Sequence, residues 1–376
     1  MAGRGQGETI MLRRCATLVA VIVAMALALP AALAGEYLVT AAKPNNLYVM
    51  DMKAREIVRS YTIPGDGTAP GTIVTSPDGR IAYVVMSYRR IVGIDLMTGK
   101  TVFETDMARS GDERVINMGL AVSADGTELY SYEVPARIGL DRYEVLPVRL
   151  SVYPAMGGNF AEPLRVFSNL PRRIHMLITK ADGSAIYALG WDIYTIDPQT
   201  GEIMDTFPLR NWTRENASPP DLLNFWPMEE QSGLFSTLVY YQRTDLPPDD
   251  MAAYPTDVLT LDVATGEIKF TTLQIPPQVI FTGTVSPDRK NLYTIYTKLM
   301  KLDMETGALI KEVPVDHSYY QVNVSGDGKE VYVGGTMCDV SIYDAETLDK
   351  LGAVTTPGCV DLATAAMRMI DLDLEE

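Results

Sequence analysis

Short strand-like runs of alternating apolar and polar residues, each following a small polar turn, recur along the chain. One form of this unit has an aspartate in the turn and a tyrosine in the run that follows. It reads SPDGRIAYV (76–84), SADGTELYS (123–131), KADGSAIYA (180–188), SPDRKNLYT (286–294) and SGDGKEVYV (325–333). Asp-Gly favours a tight turn, because glycine adopts positive φ at no steric cost. The alternation that follows is typical of a β-strand.

A second unit is a strand that ends in aspartate, a turn of the type x-x-Thr-Gly, and another strand. Clear copies are IDLMTGKTVF (94–103), IDPQTGEIMD (196–205), LDVATGEIKF (261–270) and LDMETGALIK (302–311). Weaker copies are MDMKAREIV (50–58), VYPAMGGNF (152–160) and YDAETLDKL (343–351). The seven copies are spaced by about 49 residues, and each period holds roughly four strand-like runs.

This periodicity predicts an all-β fold, a seven-bladed β-propeller with four-stranded blades. A two-sheet sandwich does not repeat one unit seven times, and repeated helix pairs lack the period of two. The run EYLVTA (36–41) enters the first repeat after its leading strand, and CVDLATAAMRMI (359–370) has no later repeat to join. We therefore expect the C-terminal segment to pair with the N-terminal segment and close the ring, because an open ring exposes strand edges.

The first 34 residues match an export signal. Met11-Leu12-Arg13-Arg14 precedes an apolar run, which ends in the small-residue stretch Ala31–Ala34. This order predicts cleavage after Ala34 and a periplasmic mature chain, residues 35–376, with one propeller domain. Residues 1–10 are predicted to be an over-extended start before the true initiator Met11. The alternative, a membrane anchor, requires a longer apolar span.

Composition narrows the function classes. The formal net charge is −16, which argues against a nucleic-acid binder that tracks a phosphate backbone. The chain has two histidines and three cysteines and no CxxCH, CxxC or HExxH, so covalent c-type haem and common zinc motifs are excluded. In an oxidising compartment the two cysteines that follow the signal, Cys338 and Cys359, are predicted to form a disulfide.

Two segments break the repeat and are predicted to be long loops. The first, 211–256, contains prolines at 219, 220, 247, 248 and 255 among others and the aromatic residues Phe225 and Trp226, which suggest a partner surface. The second is 134–154. A polar and aromatic cluster, His317 with Tyr319 and Tyr320, lies ahead of a repeat, where one blade leads into the next. These five side chains are the candidate pocket or interface residues, and no catalytic, cofactor or metal ligand is predicted in this chain.

At DHSYYQVNVSGDGKEVYVGG (316–335) and YDAETLDKLGAV (343–354) the sequence resembles the β subunit of quinohemoprotein amine dehydrogenase. It also shares the tyrosine- and valine-rich repeat of the methylamine dehydrogenase heavy chain. The resemblance extends to IDLMTGKT, YALGWDIYTIDPQTGEI and the PPDLLNFW insertion.

The resemblance implies a periplasmic heterotrimer that oxidises primary amines to aldehydes and ammonia. In that family the large subunit carries two c-type haems, and the small subunit carries a cysteine tryptophylquinone. The propeller has no cofactor and forms part of the pocket beside the small subunit. A second hypothesis is an autonomous exported propeller, either a lactonase-like hydrolase or a protein-binding platform.

Overall fold

Short, mostly antiparallel strands are the main regular structure of the computed structural model, which describes residues 35–65, 69–223, 228–362 and 365–374. The predicted signal peptide, 1–34, lies outside these residues. The unit described below is Glu36–Leu372; of the other unit, Met1–Gly35 with Asp373–Glu376, the structure describes Gly35, Asp373 and Leu374.

The described strands form seven antiparallel sheets, each with four main strands. The first part of the ring contains β1 (Gly35–Ala42), β2 (Asn46–Asp51), β3 (Glu56–Thr62), β4 (Pro70–Thr75), β5 (Ile81–Met86), β6 (Arg90–Asp95) and β7 (Thr101–Asp106). Blade 3 contains β8 (Glu113–Val122), β9 (Glu128–Ile138), β10 (Tyr143–Val145), β11 (Arg149–Pro154) and, after β12 (Gly158–Asn159), β13 (Arg165–Phe167).

Blades 4 and 5 contain β14 (Ile174–Thr179), β15 (Ile186–Gly190), β16 (Ile193–Ile196), β17 (Ile203–Phe207), β18 (Asp221–Leu223), β19 (Leu234–Tyr240), β20 (Thr256–Asp262) and β21 (Ile268–Thr272). Blades 6 and 7 contain β22 (Thr282–Val285), β23 (Asn291–Ile295), β24 (Lys298–Asp303), β25 (Leu309–Pro314), β26 (Gln321–Val324), β27 (Glu330–Gly334), β28 (Asp339–Asp344) and β29 (Lys350–Thr355). Two short 3₁₀ helices, Met251–Ala253 and Pro357–Cys359, and the last strand, β30 (Arg368–Leu372), complete the described elements.

The ring closes as the sequence predicts. Blade 1 has the strand order β3-β2-β1-β30, so its innermost strand comes from the C-terminal end of the chain. The fold is therefore a seven-bladed β-propeller, and the seven predicted strand–turn–strand units coincide with the connections between the third and fourth strands of the blades. In blade 3 the connection between the third and fourth strands is longer. It contains β12, which pairs in parallel with β7 of blade 2, and the chain then returns to form β13, which pairs with β11.

Two predicted loops contain more structure than expected. Segment 134–154 is a hairpin extension, in which β9 continues to Ile138 and pairs with β10 and β11. Segment 211–256 contains β18 and β19, the two inner strands of blade 5. The repeat pattern does not predict these two strands, because no Asp-Gly turn joins them and long loops lie on either side of them.

The core lies between neighbouring blades, and the repeated tyrosines connect them. Tyr83 is fully buried and packs edge-on against Phe103, with ring centroids 5.9 Å apart. Its hydroxyl donates to the carbonyl of Ala155 in the next blade at 2.9 Å. Tyr293 makes the same contact with Ala345 at 3.0 Å. The recurrent tyrosine is thus both a strand residue and a hydrogen-bonded link between sheets.

Candidate functional site

The connections between strands divide the propeller into two faces. Counting outward from the channel, the connections between strands one and two and between strands three and four share one face, here called the turn face. The remaining connections share the opposite face, here called the loop face, because successive antiparallel strands reverse direction. Hydrogen bonds support this division: Leu96 N donates to Arg80 O at 2.8 Å on the turn face, and Trp191 N donates to Arg173 O at 3.1 Å on the loop face.

The repeated aspartates of the turn face accept hydrogen bonds within their own turns. Asp95 Oδ1 accepts from the backbone N–H groups of Met97 at 2.9 Å and Thr98 at 3.0 Å. Asp262 does the same with Ala264 and Thr265, both at 3.0 Å. The Asp-x-x-Thr-Gly repeat is therefore a structural turn.

The predicted His317 cluster lies on the loop face, in the connection that leads from β25 to β26. His317 Nδ1 donates to the carbonyl of Ser318 at 3.0 Å, and Nε2 lies 2.8 Å from Asp339 Oδ1. Asp339 Oδ2 accepts from Tyr319 at 2.7 Å and from Ser341 at 2.8 Å. The network joins the connection before blade 7 to the first residue of β28.

Electrostatics in this network favour an ionised aspartate. Burial by itself raises the pKa of Asp339, but the three side-chain hydrogen bonds outweigh it and hold the pKa below its usual range. Burial raises the pKa of Tyr319, so its hydroxyl stays protonated and donates. Tyr319 is 0% exposed. Its side chain therefore positions His317 from within the blade and presents no surface of its own.

Tyr320 points to a different environment from its neighbour. Its ring stacks on Phe281 with a centroid distance of 4.0 Å and an interplanar angle of 3°. Tyr296 packs against Phe281 at 4.9 Å. All three rings are partly exposed. They form an aromatic cluster, Phe281–Tyr296–Tyr320, on the loop face of blades 6 and 7.

The proline-rich insertion also reaches the loop face, but two of its predicted residues, Phe225 and Trp226, lie outside the described residues. Trp212 anchors the insertion: its Nε1 donates to Ser218 O at 2.8 Å and its ring packs edge-on against Tyr241 at 5.2 Å. Next to it lies a cavity of about 520 Å³, lined by prolines and tyrosines. The lining includes Pro219, Tyr240, Tyr241, Tyr254 and Pro277.

A feature that the sequence analysis missed is an arginine–tryptophan cluster on blade 4, here called the Trp191 patch and made of Arg172, Arg173, Trp191 and Arg210. Trp191 is 47% exposed. The guanidinium carbons of Arg173 and Arg210 lie 5.1 and 4.6 Å from the centre of its ring. A usable signal was present, because a tryptophan in the short turn between IYALG and DIYTI is unusual in a position that normally holds a polar residue.

A second missed feature lies in the central channel. Arg368 of β30 forms ion pairs with Glu230 at 2.7 Å and Glu229 at 3.4 Å, both in the connection between β18 and β19. Burial raises the pKa of Glu230 to about 7, although Arg368 attracts the charged form. Two carboxylates share one guanidinium there, so burial favours proton uptake by the pair. No local motif indicates this contact, because its residues are more than 130 positions apart.

The two cysteines among the described residues lie near the ring closure. Cys338 and Cys359 form a disulfide with a Cα–Cα distance of 4.8 Å. Cys338 is in the turn before β28, and Cys359 is in the connection that leads to β30. Because each sulfur is bonded to the other, neither thiol can hold a haem by a thioether bond.

Within the described ranges no three His, Cys, Asp or Glu side chains converge as a metal site. No helix among those residues is long and apolar enough to cross a membrane.

Comparison with known proteins supports the architecture. No family model and no curated protein matches the chain. Among solved structures, the chain is similar to hydrazine synthase of Kuenenia stuttgartiensis, with a TM-score of 0.55 and 14% identity over 83% of this chain and 90% of that one. It is also similar to the dihydro-heme d1 dehydrogenase NirN in complex with DHE, with a TM-score of 0.51 and 13% identity over 92% of this chain and 76% of that one. At these identities the likeness concerns the fold alone.

Proposed function

We propose that this chain is the propeller subunit, without a cofactor of its own, of a periplasmic quinohemoprotein amine dehydrogenase that oxidises primary amines to aldehydes and ammonia. One observation carries the proposal: partly exposed aromatic side chains collect on the loop face, on rigidly held connections. Aromatic residues of this kind anchor protein interfaces and enclose apolar pockets.

The aromatic cluster Phe281–Tyr296–Tyr320 is suited to this role. Tyr320 N donates to Gly334 O at 3.0 Å, and the neighbouring Tyr319 N donates to Tyr296 O at 2.9 Å. The backbone thus holds the rings before any partner arrives, which lowers the entropy cost of binding. In the proposed complex these rings cover part of the amine pocket beside the quinone and exclude water from it.

The proposal assigns the cysteine tryptophylquinone to a small partner subunit and the c-type haems to a large one. This division agrees with the chemistry of the chain, in which Cys338 and Cys359 are bonded to each other. The role of this chain is then to bind, orient and enclose.

The test is purification of the full-length, affinity-tagged chain from the periplasm of its own host. We expect a haem-containing protein and a small subunit to purify with it, and the eluate to reduce an artificial electron acceptor when a primary amine is added. Chain that elutes alone, without haem and without amine-dependent activity, contradicts the proposal. If the lone chain hydrolyses lactones as a monomer, the autonomous-hydrolase alternative holds instead.

A variant pair locates the contact. We expect Tyr320→Ala to weaken assembly or raise the KM for amine, because it removes one ring of the Phe281–Tyr320 stack. Met156→Ala is the control, since Met156 is 62% exposed and lies in a turn-face connection. Equal assembly and kinetics in both variants would place the interface elsewhere.

A further inference from the structure

The Trp191 patch stands out because it is positively charged on an acidic protein. The formal net charge of the chain is −16. Arg172, Arg173 and Arg210 are all exposed, and the guanidinium groups of Arg173 and Arg210 lie against one exposed tryptophan. Most other arginines with described contacts are paired to carboxylates, as Arg89 is to Asp106 at 2.6 Å. A basic, aromatic site of this kind is a candidate for recognition of an anionic group.

The arginines of the patch have no carboxylate partner within the described part of the chain. Arg172 donates to two backbone carbonyls, that of Leu146 at 3.0 Å and that of Pro135 at 3.4 Å. Among the described residues, the side chains of Arg173 and Arg210 contact the Trp191 ring and donate no hydrogen bond. Each of these two guanidinium groups therefore keeps its N–H donors for a ligand.

The carboxylate of Asp192, the residue after Trp191, already accepts hydrogen bonds from the backbone. Its Oδ1 accepts from the backbone N–H of Leu209 at 2.8 Å and that of Arg210 at 3.1 Å. It fixes the connection that carries Arg210 and offsets one of the three positive charges. The patch therefore retains a local excess of positive charge.

The backbone holds the patch in place before a partner binds. Trp191 N donates to Arg173 O at 3.1 Å, and Arg210 N donates to Trp191 O at 3.0 Å. Gly190 permits this approach, because a Cβ there would lie 1.5 Å from Arg173 O. Three connections thus meet at one tryptophan, so little conformational entropy remains to be lost on binding.

We infer that the Trp191 patch binds an acidic segment of a partner polypeptide, with aspartate or glutamate carboxylates on Arg173 and Arg210 and an adjacent side chain against Trp191. Guanidinium groups bind carboxylates through paired hydrogen bonds, and tryptophan and arginine are the residues most enriched at interface hot spots. A nucleic acid is disfavoured because the remainder of the chain repels a long polyanion. The inference rests on the proposal that the loop face meets a partner, but not on which enzyme that partner belongs to.

The test uses the full mature chain and a fluorescein-labelled hexaglutamate peptide, with hexaglutamine as the neutral probe, followed by fluorescence anisotropy at low salt. We expect saturable binding of hexaglutamate only, weakened by added salt. Arg173→Gln with Arg210→Gln reduces the affinity by at least about tenfold, since two charge-assisted pairs are lost. Trp191→Ala weakens binding as well.

Arg109→Gln is the matched control, because Arg109 is an exposed arginine of the loop face outside the patch. The affinity of this variant for hexaglutamate should stay within about twofold of that of the unchanged chain. Absence of hexaglutamate binding, equal loss in the control, or no loss in the double variant overturns the inference. Equally tight binding of a single-stranded DNA oligomer also overturns the inference. The same holds if the chain dimerises as its concentration rises and the double variant abolishes that dimer, because a second copy of the chain would then occupy the patch.

The outcome of the peptide-binding test can be distinguished from the outcome of the test of the proposed function. If hexaglutamate binds through the patch but no haem or amine-dependent activity purifies with the chain, the patch stands and the proposed enzyme fails. If the complex assembles equally well with the double variant and the peptide does not bind, the patch fails and the proposed enzyme stands.

Discussion

Single side chains in this propeller have roles that their neighbours in sequence do not share. Tyr319 and Tyr320 are adjacent, yet one is fully buried against Asp339 and the other stacks, partly exposed, on Phe281. In extended backbone, consecutive side chains point in opposite directions. The distinction matters for experiment, because a change at Tyr319 acts through the blade, whereas a change at Tyr320 acts on the loop face.

Gly190 offers a test at this scale. We expect Gly190→Ala to destabilise the protein by about 2 kcal/mol or more, because its Cβ would lie 1.5 Å from Arg173 O and the backbone would have to move. Urea unfolding measures the loss.

The control is Gly111→Ala, where a Cβ would meet no atom within 4 Å. We expect this change to alter stability by no more than about 0.5 kcal/mol. Equal stability of the two variants would show that the connections around Trp191 are not rigid.

At the scale of elements, the connections on the loop face are linked to one another. The His317–Asp339 contact joins the connection before β26 to β28, and the disulfide joins the turn before β28 to the connection before β30. Thr356 N also donates to Cys338 O at 2.8 Å. Blade 7 is therefore tied to the segment that closes the ring.

Removal of the disulfide tests this link. The bond encloses a loop with a sequence separation of 21, for which chain-entropy estimates give about 3 kcal/mol. We expect Cys338→Ser with Cys359→Ser to lower the unfolding free energy by about that amount in urea.

Thiol titration of the unfolded, unreduced chain of residues 35–376 should find no free thiol. Two reactive thiols, or a double variant as stable as the parent protein, would contradict a stabilising bond.

At the scale of the whole molecule, ring closure depends on contacts between distant parts of the chain. β30 pairs with β1, and its Arg368 holds Glu229 and Glu230 from the connection in blade 5. The channel thus contains a buried cluster of Arg368, Glu229 and Glu230 that links blade 1 to blade 5, and burial raises the pKa of Glu230.

This group predicts a pH dependence. The pKa of Glu230 is raised from 4.5 to about 7 in the folded protein, chiefly by burial, so the folded state binds more protons than the unfolded state between these values. Its contribution to stability is therefore lost as the pH rises from 4.5 to about 7. We expect Glu230→Gln to flatten that decline in urea unfolding measured at several pH values.

Glu202→Gln is the matched control, since Glu202 is an exposed glutamate of blade 4. It should leave the decline unchanged. A decline of the same size in Glu230→Gln would show that other groups cause it.

The repeats in the sequence by themselves determined the number of blades, and the unmatched terminal segments indicated that the ring closes, whereas the two inner strands of blade 5 were not predicted. Turns such as Ser76-Pro-Asp-Gly and Asp95-x-x-Thr-Gly form their hydrogen bonds within a few residues, so short motifs specify them wherever they occur. Only the tertiary structure decided the rest: that Tyr319 is buried, that Arg173 and Arg210 flank Trp191, and that Arg368 meets Glu230. Those contacts join residues far apart in the chain, and burial, charge and exposure at each of them depend on how the blades pack around the ring.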